Sequence, residues 1–169
     1  MSILEKIKLT KMKEVKALNK NQLEYDRLNF LKSTPNKLRF EDSLKEPSKT
    51  TYTLITEIKK ASPSKGIIRE DFNPSELAIA YEKGGASCLS VLTDQNYFKG
   101  SNEYISKIKE VVSLPILRKE FIIDPLQVVE SKNLGADCIL IIIGMNSIEV
   151  NKLIESMAVD IGLECLLEV

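Results

Sequence analysis

The sequence contains no histidine. That removes the usual general base and the commonest metal ligand, so acid-base chemistry here falls to Lys with Glu or Asp. Cysteine is scarce as well: Cys88, Cys138 and Cys165 are widely spaced, and each sits in an apolar run. Their odd number and lack of zinc spacing exclude a disulfide framework and a thiolate metal centre, leaving buried thiols in a reducing compartment. Long hydrophobic stretches are also missing. The longest apolar run, Cys138 to Ile143, is far short of the roughly 20 residues of a membrane span. No apolar h-region opens the chain. These absences predict a cytoplasmic protein with no membrane partner and no metal.

What is present suits a packed core: 43% of the 169 residues are hydrophobic and 28% charged. The formal net charge is +0, yet residues 1–50 carry an excess of Lys and Arg and the remainder an excess of acid. A basic arm for nucleic acid is one reading of that asymmetry. The lysines are interleaved with Glu5, Glu14 and Glu24, which favours a solvated helical face and no nucleic-acid partner.

Ser2 and Glu5 have capping-box spacing, and Ile3, Leu4, Ile7, Met12, Val15 and Leu18 recur at helical intervals. They predict a helix from residue 2 to about 32. From Ser33 to Thr51, Pro, Ser, Thr and Lys mark a connector with at most a short helix around Phe40 to Leu44. Residues 1–50 thus read as an N-terminal helical extension. Residues 51–169 alternate, with strands expected at 53–59, 87–93, 114–118, 138–143 and 164–169. Helices are expected between them at 74–84, 101–112, 125–134 and 147–160. Such alternation implies a parallel sheet, because parallel neighbours need a crossover.

An internal repeat sharpens this. Gly85-Ala86-Ser87-Cys88-Leu89 recurs as Gly135-Ala136-Asp137-Cys138-Ile139, and more loosely from Gly162 to Leu166. Each copy predicts a helix ending at a left-handed glycine, with a strand starting two or three residues later. The fold class is therefore α/β, of the (β/α)8 TIM-barrel type. It is incomplete, with about four βα units and a fifth strand, since eight units take roughly 200–250 residues. A doubly wound sheet would call for a glycine-rich turn after the first strand, where this chain has KKASPSKG.

Ionisable groups stand where the apolar strands run out. Glu57 and Lys59, two apart, share one face of the first strand. Lys119 follows the third strand and Glu168 closes the fifth. Either these are salt bridges and solvated strand ends, or they converge on the C-terminal mouth where barrel enzymes keep their chemistry.

The stretches ITEIKKASPSKG (55–66), YEKGGASCLSVLTDQNYFKGS (81–101), LPILRKEFIIDPLQVVES (114–131) and GLECLLEV (162–169) closely resemble the indole-3-glycerol phosphate synthases. The likeness runs from about residue 50 to the last residue, with a weaker match in the N-terminal helix. It implies a carboxy-lyase of tryptophan biosynthesis that closes an indole ring on a phosphorylated small molecule. No cofactor or metal takes part. Lys119 is then the general acid on the ribulose carbonyl, and Lys59 binds the anthranilate carboxylate or supplies a proton in dehydration. Glu57 holds the lysines or assists that later step, and Glu168 is the base or stabilises the cationic ring nitrogen. Ser62, Pro63 and Ser64 match the loop that covers the substrate. Phe98, Phe121 and Leu140 match apolar positions around its aromatic part, although each also reads as ordinary core packing.

Two departures from the family pattern stand out. Glu120 replaces the usual Asp, a change that matters if its carboxylate fixes Lys119 and is tolerable if it is only a neighbour. The family also continues beyond LLEV into three further strands that supply most of the phosphate site. The 169-residue chain alone is therefore expected to be a fragment without synthase activity. The alternative is a noncatalytic half-barrel that assembles with another chain. A related barrel isomerase of the same pathway is disfavoured by EIKKASPSKG. The parent is expected to be a monomer or to be fused to another tryptophan-pathway enzyme.

Overall fold

Ser2 and Glu5 close a reciprocal capping box at the start of α1 (Ile3–Ala17), as their spacing predicts. The computed structural model describes residues 1–33, 40–45 and 52–169, so segments 34–39 and 46–51 of the expected connector lie outside the described residues. The single helix expected to residue 32 is two helices. Leu18 turns extended, with ψ 142, and the Asn19 side chain accepts from the Gln22 amide to cap α2 (Lys20–Phe30). The break has a packing cause. α1 runs over the C-terminal ends of the strands, where Lys8 donates to the Met145 carbonyl at 2.5 Å. α2 instead lies on a barrel helix, with Leu23 in its core and Asp26 bound to Asn133. One straight rod cannot serve both surfaces.

The short helix expected near Phe40 is α3 (Phe40–Lys45). Phe40 is buried among Cys88, Leu117, Cys138 and Leu140 and plugs the end at which the strands begin. The Glu41 amide donates to Glu164 there.

Next come β1 (Ile55–Ile58), the small antiparallel pair β2 (Ala61–Ser62) and β3 (Gly66–Ile67), α4 (Pro74–Lys83) and β4 (Cys88–Leu92). They are followed by α5 (Gln95–Phe98), α6 (Glu103–Lys109), β5 (Ile116–Lys119), α7 (Pro125–Asn133), β6 (Cys138–Ile142), a 3-10 turn at Ile143–Met145, α8 (Ile148–Asp160) and β7 (Glu164–Glu168). All five expected strands and the four crossover helices form, with ends shifted by a few residues. The hairpin β2–β3, α5 and the 3-10 turn are additions. Asn73, Asp124 and Ser147 cap α4, α7 and α8, and Pro74 and Pro125 occupy first-turn positions where a missing N–H costs nothing.

The strands form one parallel sheet in the order β1-β4-β5-β6-β7, the sequential order of a (β/α) barrel. Alternation sorts its side chains. Leu89 and Val91 of β4 and Ile116 of β5 face outward to α4 and α6, and Ile139 and Ile141 of β6 face α7 and α8. Cys88, Leu117, Cys138 and Leu140 face inward. Gly85, Gly135 and Gly162 take φ of 90°, 91° and 72°, the left-handed helix ends that the repeat predicts. Among the described residues, no helix is long and apolar enough to cross a membrane.

Candidate active site

The inward face of the sheet continues past its apolar part into charge. Glu57 follows Ile55 by two positions and Lys59 by four, Lys119 follows Leu117, and Glu168 follows Leu166, so period-two alternation delivers all four to one side. Register staggers them toward the same strand ends: Glu57 lies beside Ser90, Lys119 beside Leu92 and Glu168 beside Ile142. Two ion pairs result. The Lys59 ammonium is 2.5 Å from Glu57 Oε1, and the Lys119 ammonium is 2.6 Å from Glu168 Oε2. Glu57, Lys59 and Lys119 are half-buried and Glu168 is exposed, so the four meet both the cavity and solvent.

The pairs border a cavity of about 510 Å³ at the C-terminal mouth. Ser62, Pro63 and Ser64 form one wall, supplied by the tip of the β2–β3 hairpin, in which the Ser62 hydroxyl accepts from the Lys65 amide. Phe98, Phe121 and Leu140 form an apolar wall, with the two phenyl rings tilted at a centroid distance of 5.9 Å. Thus the ten residues singled out from the sequence surround one space. Ile3, Leu4 and Ile7 of α1 complete the apolar wall and were not foreseen. Their helical periodicity marks an apolar face but not what it packs against; Ile7 is buried there, whereas Ile3 stays exposed.

Phe98 owes its position to α5. Asp94 caps this helix by accepting from the Tyr97 and Phe98 amides, and Lys99 ends it in a left-handed conformation with φ 51°. Gly100 then folds back so closely that a Cβ there would collide with the Leu92 carbonyl oxygen. Only glycine fits without moving the end of β4.

The reading of the N-terminal lysines as a solvated face fails at Lys11, which is 2% exposed. Its ammonium sits 2.8 Å from Glu14, 2.8 Å from Asp94 and 2.9 Å from Glu120. Burial opposes that charge. The Glu120 charge and the pairing with Asp94, Glu14 and Glu120 prevail, and they hold the ammonium above the ordinary lysine range. Interleaved Glu residues could not reveal this, because two of the three partners lie in distant sequence. Glu120 therefore serves Lys11, the Thr93 hydroxyl at 2.8 Å and the Phe121 amide at 2.8 Å, while Lys119 pairs with Glu168.

A family model for indole-3-glycerol phosphate synthase matches residues 4–169. A relative of that name from Zymomonas mobilis subsp. pomaceae is 45% identical over 171 residues, which take in 99% of this chain and 64% of that protein. Another of the same name, from Azospirillum brasilense, is 56% identical over 118 residues, covering 70% of this chain and 45% of that protein. The chain thus spans less than two thirds of the length of these curated relatives.

Proposed function

The chain belongs to the indole-3-glycerol phosphate synthase family, and on that footing we propose that the protein closes an indole ring. Its substrate, 1-(2-carboxyphenylamino)-1-deoxyribulose 5-phosphate, loses carbon dioxide and water to give indole-3-glycerol phosphate. The observation that carries this reading is the facing of two lysine–glutamate pairs onto one cavity that has an aromatic wall.

The anthranilate ring seats against Phe98, Phe121 and Leu140, with its carboxylate toward Lys59. The ring carbon that bears the carboxylate bonds to the ribulose carbonyl carbon, and Lys119 delivers a proton to the carbonyl oxygen as this bond forms. Carbon dioxide then leaves, and the electrons of its carbon–carbon bond restore the aromatic ring. Dehydration needs one proton in and one out. Lys59 protonates the departing hydroxyl, and Glu168 stabilises positive charge on the ring nitrogen and takes the proton from the neighbouring sugar-derived carbon. Glu57 orients Lys59 through their ion pair. Ser62, Pro63 and Ser64 cover the bound substrate.

The protein acts in the cytoplasm without cofactor or metal, as a monomer or joined to another enzyme of tryptophan biosynthesis. These two states differ in native mass. The activity is tested by giving the purified full-length protein its substrate and following indole fluorescence together with released carbon dioxide. Equimolar appearance of both is expected; folded protein that yields neither sinks the proposal.

A further inference from the structure

Three carboxylates converge on one buried ammonium at Lys11, and two of them continue into the aromatic wall. Asp94 Oδ1 accepts from the Phe98 amide at 3.1 Å, and its other oxygen meets Lys11. Glu120 Oε1 accepts from the Phe121 amide at 2.8 Å and also meets Lys11. The two rings of the wall therefore hang from two carboxylates that share one cation. Glu120 also directly follows Lys119, so whatever fixes the Glu120 side chain restrains the backbone that carries the general acid.

We propose that Lys11 is a positioning residue for ring closure: by clamping Asp94 to Glu120 it sets the spacing of Phe98 and Phe121 and the placement of Lys119. The proposal rests on the synthase reading above and adds a residue from the N-terminal helix to its machinery, one that touches no substrate. Without Lys11, Asp94 and Glu120 would be two nearly inaccessible carboxylates that have lost their direct counter-charge, the Arg118 guanidinium reaching Glu120 only through the Thr93 hydroxyl. They would move apart or take up a proton. Either response displaces the Phe98 and Phe121 amides bound to them. Displacement of about 1 Å at a reacting centre costs about 100-fold in rate, so the effect reaches the chemistry and not only the stability.

The test uses the full-length protein and Lys11→Met, with kcat and KM measured per folded molecule and amide exchange followed residue by residue. We expect kcat to fall and KM to rise, each by about tenfold or more. We also expect the Phe98 and Phe121 amides to exchange at least about tenfold faster, while those of Ile139 and Ile141 in β6 stay as they were. The double variant Lys11→Met with Glu120→Gln removes one uncompensated charge and covers the case in which the single variant fails to fold. It should regain stability yet keep the low kcat and the fast exchange. A folded variant of either kind with kcat and KM within about twofold of the parent, or with unchanged exchange at both phenylalanines, overturns the proposal. A parent protein that forms no indole overturns the synthase reading and the claim on Lys119 with it. The exchange measurement still decides whether Lys11 sets the wall.

Discussion

Arg118 and Lys119 are neighbours in β5 that serve opposite sides of the sheet. Lys119 faces the cavity and meets Glu168, whereas Arg118 points outward beneath α7 and donates to Glu130 at 2.8 Å, Asn102 at 2.8 Å and Ser131 at 2.9 Å. Two adjacent cations thus divide into one that is half-open to a ligand and one sealed into the framework. Arg118→Met should lower stability by about 3 kcal/mol, the low end for breaking a buried pair, because Glu130 keeps some contact with water. Urea denaturation followed by circular dichroism measures this.

Lys119→Met should lower turnover by about 100- to 10,000-fold and leave substrate binding within a few-fold, as loss of a general acid does. Steady-state kinetics on the full-length protein checks it. Normal turnover in this variant would remove Lys119 from the mechanism.

Lys59→Met acts elsewhere. A lost charge-assisted contact with a carboxylate costs about 1.5–3 kcal/mol, so affinity should drop by roughly 10- to 150-fold. Titration calorimetry with a slow substrate analogue reads the change. Intact affinity with a halted dehydration step would assign Lys59 to proton transfer alone.

Gly100→Ala should destabilise the protein by about 1–3 kcal/mol, since the added methyl meets the Leu92 and Thr93 backbone and not a flexible side chain. The strand end that moves carries Asp94, so KM should rise as well. A thermal scan and a KM determination give the two parts, and an unchanged melting temperature would contradict the close approach.

Burial pushes the Cys88 and Cys165 thiols up to about 12, and it raises Cys138 as well. In the unfolded chain a thiol titrates near 8.5. The stabilising difference is therefore whole below about 8.5 and is lost as pH climbs toward 12. Two measurements follow. At pH 8 the folded protein should react with a thiol reagent roughly a thousandfold more slowly than the same protein in urea. Its melting temperature should also fall between about pH 8.5 and 10.5. Rapid labelling of three thiols in the folded state would contradict the burial.

The parts that the sequence disclosed are those governed by short-range rules. Gly85, Gly135 and Gly162 announced three helix ends because only glycine enters the left-handed region cheaply, and Glu57 with Lys59 announced a shared face because strand periodicity is two. The break at Leu18 was hidden, since periodicity registers an apolar face but not a change in the helix axis. Asn19 was the available sign, three residues before the amide that it caps. The burial of Lys11 was out of reach, because a lysine's fate depends on acceptors brought from elsewhere in the fold. The division between Arg118 and Lys119 follows from alternation alone, because adjacent strand residues face opposite sides whether β5 is counted from Leu114 or from Ile116.

Helix α1 leaves the ribosome before the sheet that it will cover. Its attachments to Asp94, Glu120 and the Met145 carbonyl, the last across 137 positions, exist only after most of the sheet has been synthesised. Contacts of such sequence separation close late, because the entropy of the intervening loop must be overcome before they stabilise anything. The roof of the cavity is therefore made before the sheet that it covers and settles after it. Until then the Lys11 ammonium stays hydrated, and the mouth of the sheet stands open.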